Sequence, residues 1–147
     1  MVNSLKELLQ NNNIDISSIN EVIVINGPGS FTGVRIGCVI AKIISYTKNI
    51  PLKALSYLQA LALNYEHKVK VGISDRNGVF VGYFDECHNL IGDYYYINNK
   101  DINNFNDIYI DGDVDLNKVY LYMKKEAMIN PHLLKPIYVK RIEVENG

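Results

Sequence analysis

Residues 26–37 read NGPGSFTGVRIG, and this stretch is the part of the chain whose residue types and spacing most resemble a binding or catalytic loop. They directly follow the apolar run VIVI at 22–25. A strand that enters a glycine-rich turn and then a helix presents unpaired backbone N–H groups and about half a positive charge to an anion. The pattern therefore predicts an anion contact near Ser30, Thr32 and Gly33, with Arg35 as a further donor.

The defined phosphate and nucleophile motifs do not fit this stretch. A P-loop requires a lysine before its hydroxyl residue, and no lysine lies there. The dinucleotide fingerprint requires a third glycine where Thr32 stands, one residue before Gly33. A nucleophile elbow around Ser30 would need glycine at both Pro28 and Thr32. The prediction of an anion contact therefore rests only on the free N–H groups and partial positive charge of a helix N-terminus.

A structural interpretation of the same residues stays open beside the chemical one. A sharp strand-to-helix turn would use Gly27, Pro28 and Gly29, whose backbones suit tight turns. Gly33 and Gly37 are four residues apart and would let another backbone approach the helix closely.

The residues that bind metals or act as nucleophiles are scattered. His67, His88 and His132 lie in unrelated contexts, so the helical-turn spacing of a histidine metal site is absent. Cys38 and Cys87 are the two cysteines, and we expect reduced, mostly buried thiols. The sequence thus predicts neither a metal site nor a catalytic constellation.

Composition restricts the function classes further. The chain has 147 residues, 48% of them hydrophobic, which suffices for a packed core. Fifteen Lys and Arg against sixteen Asp and Glu give a net charge of −1, which argues against nucleic-acid binding by this chain alone. The longest apolar stretch, residues 37–45, is interrupted by Lys42 and too short to span a bilayer. We expect a cytoplasmic protein without a membrane segment.

Hydrophobic periodicity predicts an α/β order of elements. Ser4, Ser56, Asp115 and one of Ser30 and Thr32 are expected helix N-caps. An Asn-Gly turn predicts a hairpin after residue 74. Predicted helices cover residues 4–9, 31–47, 56–64 and 116–127, and predicted strands cover 21–25, 52–55, 68–74, 79–85, 90–97 and 107–110.

The second half of this order, three antiparallel strands, a fourth strand and a helix, is that of a ribonuclease-H-like lobe. The first half matches the end of the same unit without its three-strand meander. Two such lobes in tandem make the actin-like (ASKHA) fold, here with the first lobe incomplete. The expected division is an incomplete first lobe at 1–55, a second lobe at 56–130 and a C-terminal segment at 131–147.

The stretch GPGSFTGVRIG, followed by Ala41-Lys42 on the same helix, resembles the signature of the TsaB/YeaZ family of glycoprotease-like proteins. IPL at 50–52 and SYLQALA at 56–62 stand at the matching spacing. DRNGVFVGYF from residue 75 and PIYVKR from 136 resemble later family segments. The resemblance covers residues 5–90 well and the last twelve weakly.

The resemblance implies a non-catalytic scaffold that pairs with TsaD and with the ATPase TsaE. That complex installs threonylcarbamoyl on the adenosine beside the anticodon of certain tRNAs. It implies no cofactor of the chain's own, with ATP or ADP only at a partner interface, and tRNA contact only through the complex. Partner contacts would come from the helix at 4–10 and the helix after the loop, with Arg35 and Lys42 as contacts to partner or nucleotide. A homodimer stays open.

One departure from the family concerns the beginning of the chain. Family members carry a strand and a meander before the glycine-rich loop, whereas this chain reaches Gly27 without them. The 21–25 strand would then expose apolar edges, so either the sequence is part of a longer protein or a partner or a second copy covers that edge. Two alternatives remain, a nucleotide-binding or peptidase-like enzyme of the glycoprotease superfamily and a truncated, degenerate copy.

Overall fold

The computed structural model describes residues 2–29 and 31–139. Four α-helices and six strands follow one another within these residues, in the α/β order that the sequence predicts. The elements are α1 (Val2–Asn11), β1 (Val22–Ile25), α2 (Phe31–Lys48), β2 (Leu52–Leu55), α3 (Tyr57–Ala62), β3 (Val69–Ser74), β4 (Gly78–Phe84), β5 (Tyr95–Asn98), β6 (Ile108–Ile110) and α4 (Leu116–Met123).

The first sheet consists of β1 and β2, paired in parallel with Val22 opposite Leu52. Parallel neighbours need a crossover connection, and α2 provides it. Alternate side chains of β1 pack on opposite faces, against Cys38 and Ala41 of α2 on one face and against Met123 of α4 on the other. Strand β1 is therefore covered on both sides, as a central strand would be.

Helix α2 buries a stripe of residues at helical spacing, and it ends at a single asparagine. Cys38, Ala41 and Ser45 are almost fully buried. Asn49 has φ +54°, in the left-handed region that commonly ends helices, and the Ile50 N–H donates to the Ser45 carbonyl.

The second sheet has the strand order β5-β4-β3-β6, with β6 parallel to β3 and the other pairs antiparallel. The predicted hairpin is present, and the Asp75 carboxylate accepts from the Asn77 and Gly78 amides in its turn. Helix α3 places Leu58 and Leu61 against this sheet, and the Ser56 hydroxyl caps the helix as predicted.

Several predicted boundaries are wrong. The strand expected at 90–97 is β5 at Tyr95–Asn98, because Gly92 takes φ +74° and Leu90 makes only an isolated bridge to Phe84. The last helix ends at Met123, since the Glu126 amide donates to the Met123 carbonyl in a tighter turn.

One predicted N-cap is wrong, because Ser4 lies inside the first turn of α1. Thr32 lies inside the first turn of α2 and does not cap it, which leaves its alternative Ser30, outside the described residues. Asp115 does cap α4, through the amides of Asn117 and Lys118. No helix among residues 2–29 and 31–139 is long and apolar enough to span a membrane. The division at residues 55 and 130 stays a prediction.

Candidate functional site

The turn after β1 connects three elements through its backbone. Gly27 has φ +94°, a conformation that only glycine adopts easily, and it is buried together with Pro28. The Gly27 carbonyl accepts from the Tyr57 amide at 2.8 Å, which links β1 to the start of α3. A Cβ atom on Gly27 would lie 3.3 Å from a methyl carbon of Val34, so α2 packs tightly on the turn.

Helix periodicity separates the remaining predicted contact residues. Thr32 and Arg35 are exposed on α2, whereas Gly33, Gly37 and Lys42 are partly buried. At 100° per residue, Arg35 and Lys42 share one flank of the helix, the two glycines share the opposite flank, and Thr32 lies between the flanks on the outer side. Ser30 falls outside the described residues. The helix thus places Arg35 and Lys42 on one flank, about two turns apart, and directs Thr32 and Gly33 elsewhere.

A small cavity of about 180 Å³ lies between the turn and the segment that follows residue 135. Pro28 and Val34 line it on one side, and Ile137 and Tyr138 on the other. The Arg35 Nε–H donates a long hydrogen bond, 3.4 Å, to the Tyr138 hydroxyl beside this cavity. The volume is below the range of about 300–1,000 Å³ that is usual for ligand pockets, so the cavity is small for a nucleotide. The predicted tail residues 140–141 lie outside the described residues.

The cysteines differ in their surroundings. Cys38 is buried, and burial raises the pKa of its thiol, with nearby Lys42 opposing the shift. Cys87 is exposed, so the expectation of burial is wrong for it, because it lies in the turn after β4. No group of three or more His, Cys, Asp or Glu side chains in the described part of the chain could hold a metal ion.

The outer face of α2 carries a second apolar stripe that the sequence analysis missed. Its members recur at spacings of three, four and three residues, which places them on one helix face. The members are Ile36, Val39, Ile43 and Tyr46, and their side chains are 43, 54, 58 and 70% exposed, respectively. We call this set the outer stripe. The face opposite to it packs on β1, and within the described part of the chain the outer stripe stays exposed.

Apolar surface continues from the end of the outer stripe. A cavity of about 720 Å³ lies beside the C-terminal end of α2 and is lined by Tyr46, Ile50, Met128 and His132 among others. The Tyr46 and His132 rings meet edge to face, 5.6 Å apart. Met128 and Leu133 are both exposed nearby. A patch of this kind is typical of protein–protein contact sites.

Helix α1 also presents hydrophobic side chains at the surface. Leu8 is largely exposed, whereas Leu5 and Leu9 are half-buried. Lys48 at the end of α2 is close enough to help lower the pKa of Asp15, although hydrogen bonding from Ser17 is the main cause of that shift. The segment after α1 therefore lies near the last turn of α2.

Comparison with known proteins identifies the family. A family model described as "TsaD: tRNA N6-adenosine threonylcarbamoyltransferase" matches residues 1–96. The chain belongs to this family. Its curated relatives include proteins named tRNA threonylcarbamoyladenosine biosynthesis protein TsaB, which confirms the resemblance to TsaB/YeaZ.

The TsaB of Bacillus subtilis is 38% identical over 64 residues, which cover 44% of this chain and 28% of that protein. The TsaB of Haemophilus influenzae is 34% identical over 58 residues, 40% of this chain and 25% of that protein. A tRNA N6-adenosine threonylcarbamoyltransferase of Clostridioides difficile is 36% identical over 66 residues, 44% of this chain and 20% of that protein. The matched region thus spans less than a third of each relative.

Solved structures support the fold. YeaZ from Pseudomonas aeruginosa superimposes with a TM-score of 0.72 at 17% identity, over 92% of this chain and 81% of that chain. A second structure from the same organism, described as similar to peptidase YEAZ, matches to the same degree. The chain therefore has a mixed α/β fold like that of the YeaZ structures.

Proposed function

We propose that this chain is a non-catalytic, TsaB-type subunit in the synthesis of tRNA threonylcarbamoyladenosine, and that it pairs with a TsaD-type protein. The observation that carries the proposal is the outer stripe on α2, in a chain whose curated relatives bear the name TsaB. The proposed partner buries this stripe, together with Leu8 of α1.

The size of the outer stripe fits such a role. Fully burying an aliphatic or aromatic side chain is worth about 1.5–3 kcal/mol, and each member of the stripe has roughly half of that still to gain. Four such residues supply several kcal/mol before the entropic cost of association is subtracted. The stripe would therefore serve as the centre of an interface, with the polar residues beside it as a rim.

The finer features of the family resemblance belong to the same proposal. The two sheets correspond to tandem ribonuclease-H-like lobes of an actin-like fold, with the first lobe incomplete in this chain. A TsaE-type ATPase would join the pair, ATP or ADP would bind at a partner interface, and tRNA would be contacted through the complex in the cytoplasm. Arg35 and Lys42, on one flank of α2, would lie at the border of the interface.

Binding to the TsaD-type protein of the same organism tests the proposal. Isothermal titration calorimetry should give a complex that Ile43→Glu weakens at least about tenfold, because the interface must bury a carboxylate without a partner. Leu121→Glu is the matched control. Leu121 lies on α4 and is 59% exposed, against 58% for Ile43, so both variants should fold equally well.

Two results would contradict this function. One is the absence of a complex at micromolar concentrations with a folded chain. The other is ATP-dependent thermal stabilisation of the isolated chain that Arg35→Ala removes, which is the behaviour expected of a nucleotide-binding enzyme.

A further inference from the structure

A cavity opens where β3 and β6 come together. The two strands begin to pair at Lys70, which lies opposite Ile108. The residues before this pair, 67–69 and 106–107, help to line a cavity of about 450 Å³, which we call the notch. Its volume falls within the range of about 300–1,000 Å³ that is usual for ligand pockets. All residues that line the notch lie between positions 67 and 109, so the second sheet builds it without the first.

A stacked pair of tyrosine rings forms one wall of the notch. The rings of Tyr65 and Tyr109 lie 4.8 Å apart at an interplanar angle of 25°, and the His67 ring meets Tyr65 edge to face. Tyr109 lines the notch, whereas Tyr65 lines a neighbouring cavity of about 550 Å³. Because Tyr65 covers one face of Tyr109, the notch meets the other face, and Tyr109 is 53% exposed. The wall is therefore a flat aromatic surface of the kind on which nucleobases stack.

The rest of the notch carries net positive charge. Lys70 Nζ lies 3.1 Å from Asp107 Oδ2 and 5.5 Å from the centroid of the Tyr83 ring. This ion pair neutralises the acidic group among the described residues that line the notch. Lys68 also lines the notch, is exposed, and has no ion pair within residues 2–29 and 31–139. Glu66, the nearest acidic residue along the chain, lines the neighbouring cavity instead.

We propose that the notch binds an unpaired nucleotide of an RNA, with its base stacked on Tyr109 and its phosphate beside Lys68. A flat aromatic wall beside an unpaired cation matches the two parts of a nucleotide that single-strand-binding proteins contact. The choice of RNA rests on the proposed function, in which a tRNA is the substrate, whereas the nucleotide chemistry rests on the notch alone.

The exposure of the notch favours one nucleotide of a longer chain over a free nucleotide. Pockets for small molecules usually bury about 70–90% of the ligand surface. Here the Asp107 side chain is 65% exposed and Tyr109 is more than half exposed, so a bound nucleotide would keep much of its surface in water. An RNA gains further affinity from its other nucleotides. The net charge of −1 predicts weak binding by the isolated chain, and the test must therefore measure weak affinities.

NMR titration of the chain, with ¹³C-labelled tyrosine rings, measures such affinities. The probes are a short single-stranded oligoriboadenylate, a blunt-ended RNA duplex and AMP. At equal nucleotide concentration the oligoriboadenylate should bind at least about fivefold more tightly than the duplex, because only an unpaired base can stack on Tyr109. It should also bind more tightly than AMP, since it offers more than one phosphate to the lysines.

Three variants separate the stacking from the charge. Tyr109→Ala should weaken the oligoriboadenylate at least about fivefold, and Tyr109→Phe, which keeps the ring, should not. Tyr120→Ala is the matched control, because Tyr120 lies on α4, outside the notch, and is 52% exposed. Lys68→Gln should reduce the slope of log K against log salt by about 0.7, the value for one phosphate contact with a single strand. Lys68 is exposed, so this variant keeps the fold.

Three results would overturn the proposal. The first is equal binding of the oligoriboadenylate and the duplex, which would show attraction by charge alone. The second is equal weakening by Tyr109→Ala and Tyr120→Ala. The third is binding of AMP as tight as that of the oligoriboadenylate, which would assign the notch to a free nucleotide. The proposed pairing with a TsaD-type protein is tested separately, since Tyr109→Ala should leave it unchanged and Ile43→Glu should leave RNA binding unchanged.

Discussion

Substitution of Gly27 should be costly, because its backbone and its packing both require glycine. The residue has φ +94°, and an added Cβ would lie 3.3 Å from Val34 Cγ1. In Gly27→Ala the left-handed backbone alone costs about 1–2 kcal/mol, since the Cβ atom crowds the following carbonyl. The contact with Val34 adds to this, because a branched side chain on a packed helix has little freedom to move.

We therefore expect Gly27→Ala to lower the free energy of unfolding by about 2 kcal/mol. In a chain of this size, 1 kcal/mol shifts Tm by about 2–4 °C, so the expected loss is about 4–8 °C. Differential scanning calorimetry measures the shift, and urea unfolding measures the free energy.

Two other glycines separate the backbone cost from the packing cost. Gly92 has φ +74° and nothing within 4 Å of an added Cβ, so Gly92→Ala reports the backbone alone. Gly112 has no such φ, and its Cβ would meet Leu61 at an ordinary 3.8 Å, so Gly112→Ala should be nearly neutral. Adding Val34→Ala should relieve the crowding in Gly27→Ala.

The expected order of stability loss is Gly27→Ala, then Gly92→Ala, then Gly112→Ala. If Gly27→Ala and Gly92→Ala lose the same free energy, the contact with Val34 contributes nothing. If Gly27→Ala is neutral, the tight junction between β1 and α2 is itself refuted.

Two further predictions concern single side chains. Hydrogen bonds from the Asn89 and Cys87 amides lower the pKa of Asp85. The pKa of Asp85 in the folded chain lies below its usual value. The resulting stabilisation is therefore complete at pH values above the usual pKa and is lost as the pH falls through the folded pKa. Asp85→Asn should accordingly flatten the acid limb of a Tm-versus-pH profile. Buried Lys53 donates to the Met123 carbonyl at 2.8 Å, so Lys53→Ala should lower the urea-derived free energy of unfolding by about 2–4 kcal/mol, and Lys53→Met, which keeps the apolar stem, should lower it less.

Local chemistry explains why most of the fold could be predicted from the sequence. The hairpin after β3 follows from residues that favour its turn, and the buried face of α2 follows from the spacing of Cys38, Ala41 and Ser45. The start of β5 is predicted wrongly, because Leu90, Ile91 and Tyr94 favour a strand although Gly92-Asp93 between them is a turn signal. The left-handed conformation of Gly92, which separates Leu90 from Tyr95, is set by the turn and not by the apolar pattern.

The outer stripe shows why helical periodicity alone does not predict which face of α2 is exposed for binding. Both faces of α2 carry apolar residues at helical spacing, and composition does not tell which face packs on β1. Tertiary position decides this, since α2 crosses over β1 with its small side chains, Cys38 and Ala41, turned to the sheet. The larger side chains, such as Ile43 and Tyr46, remain outside. The second stripe could have been found by testing each face of the helix separately.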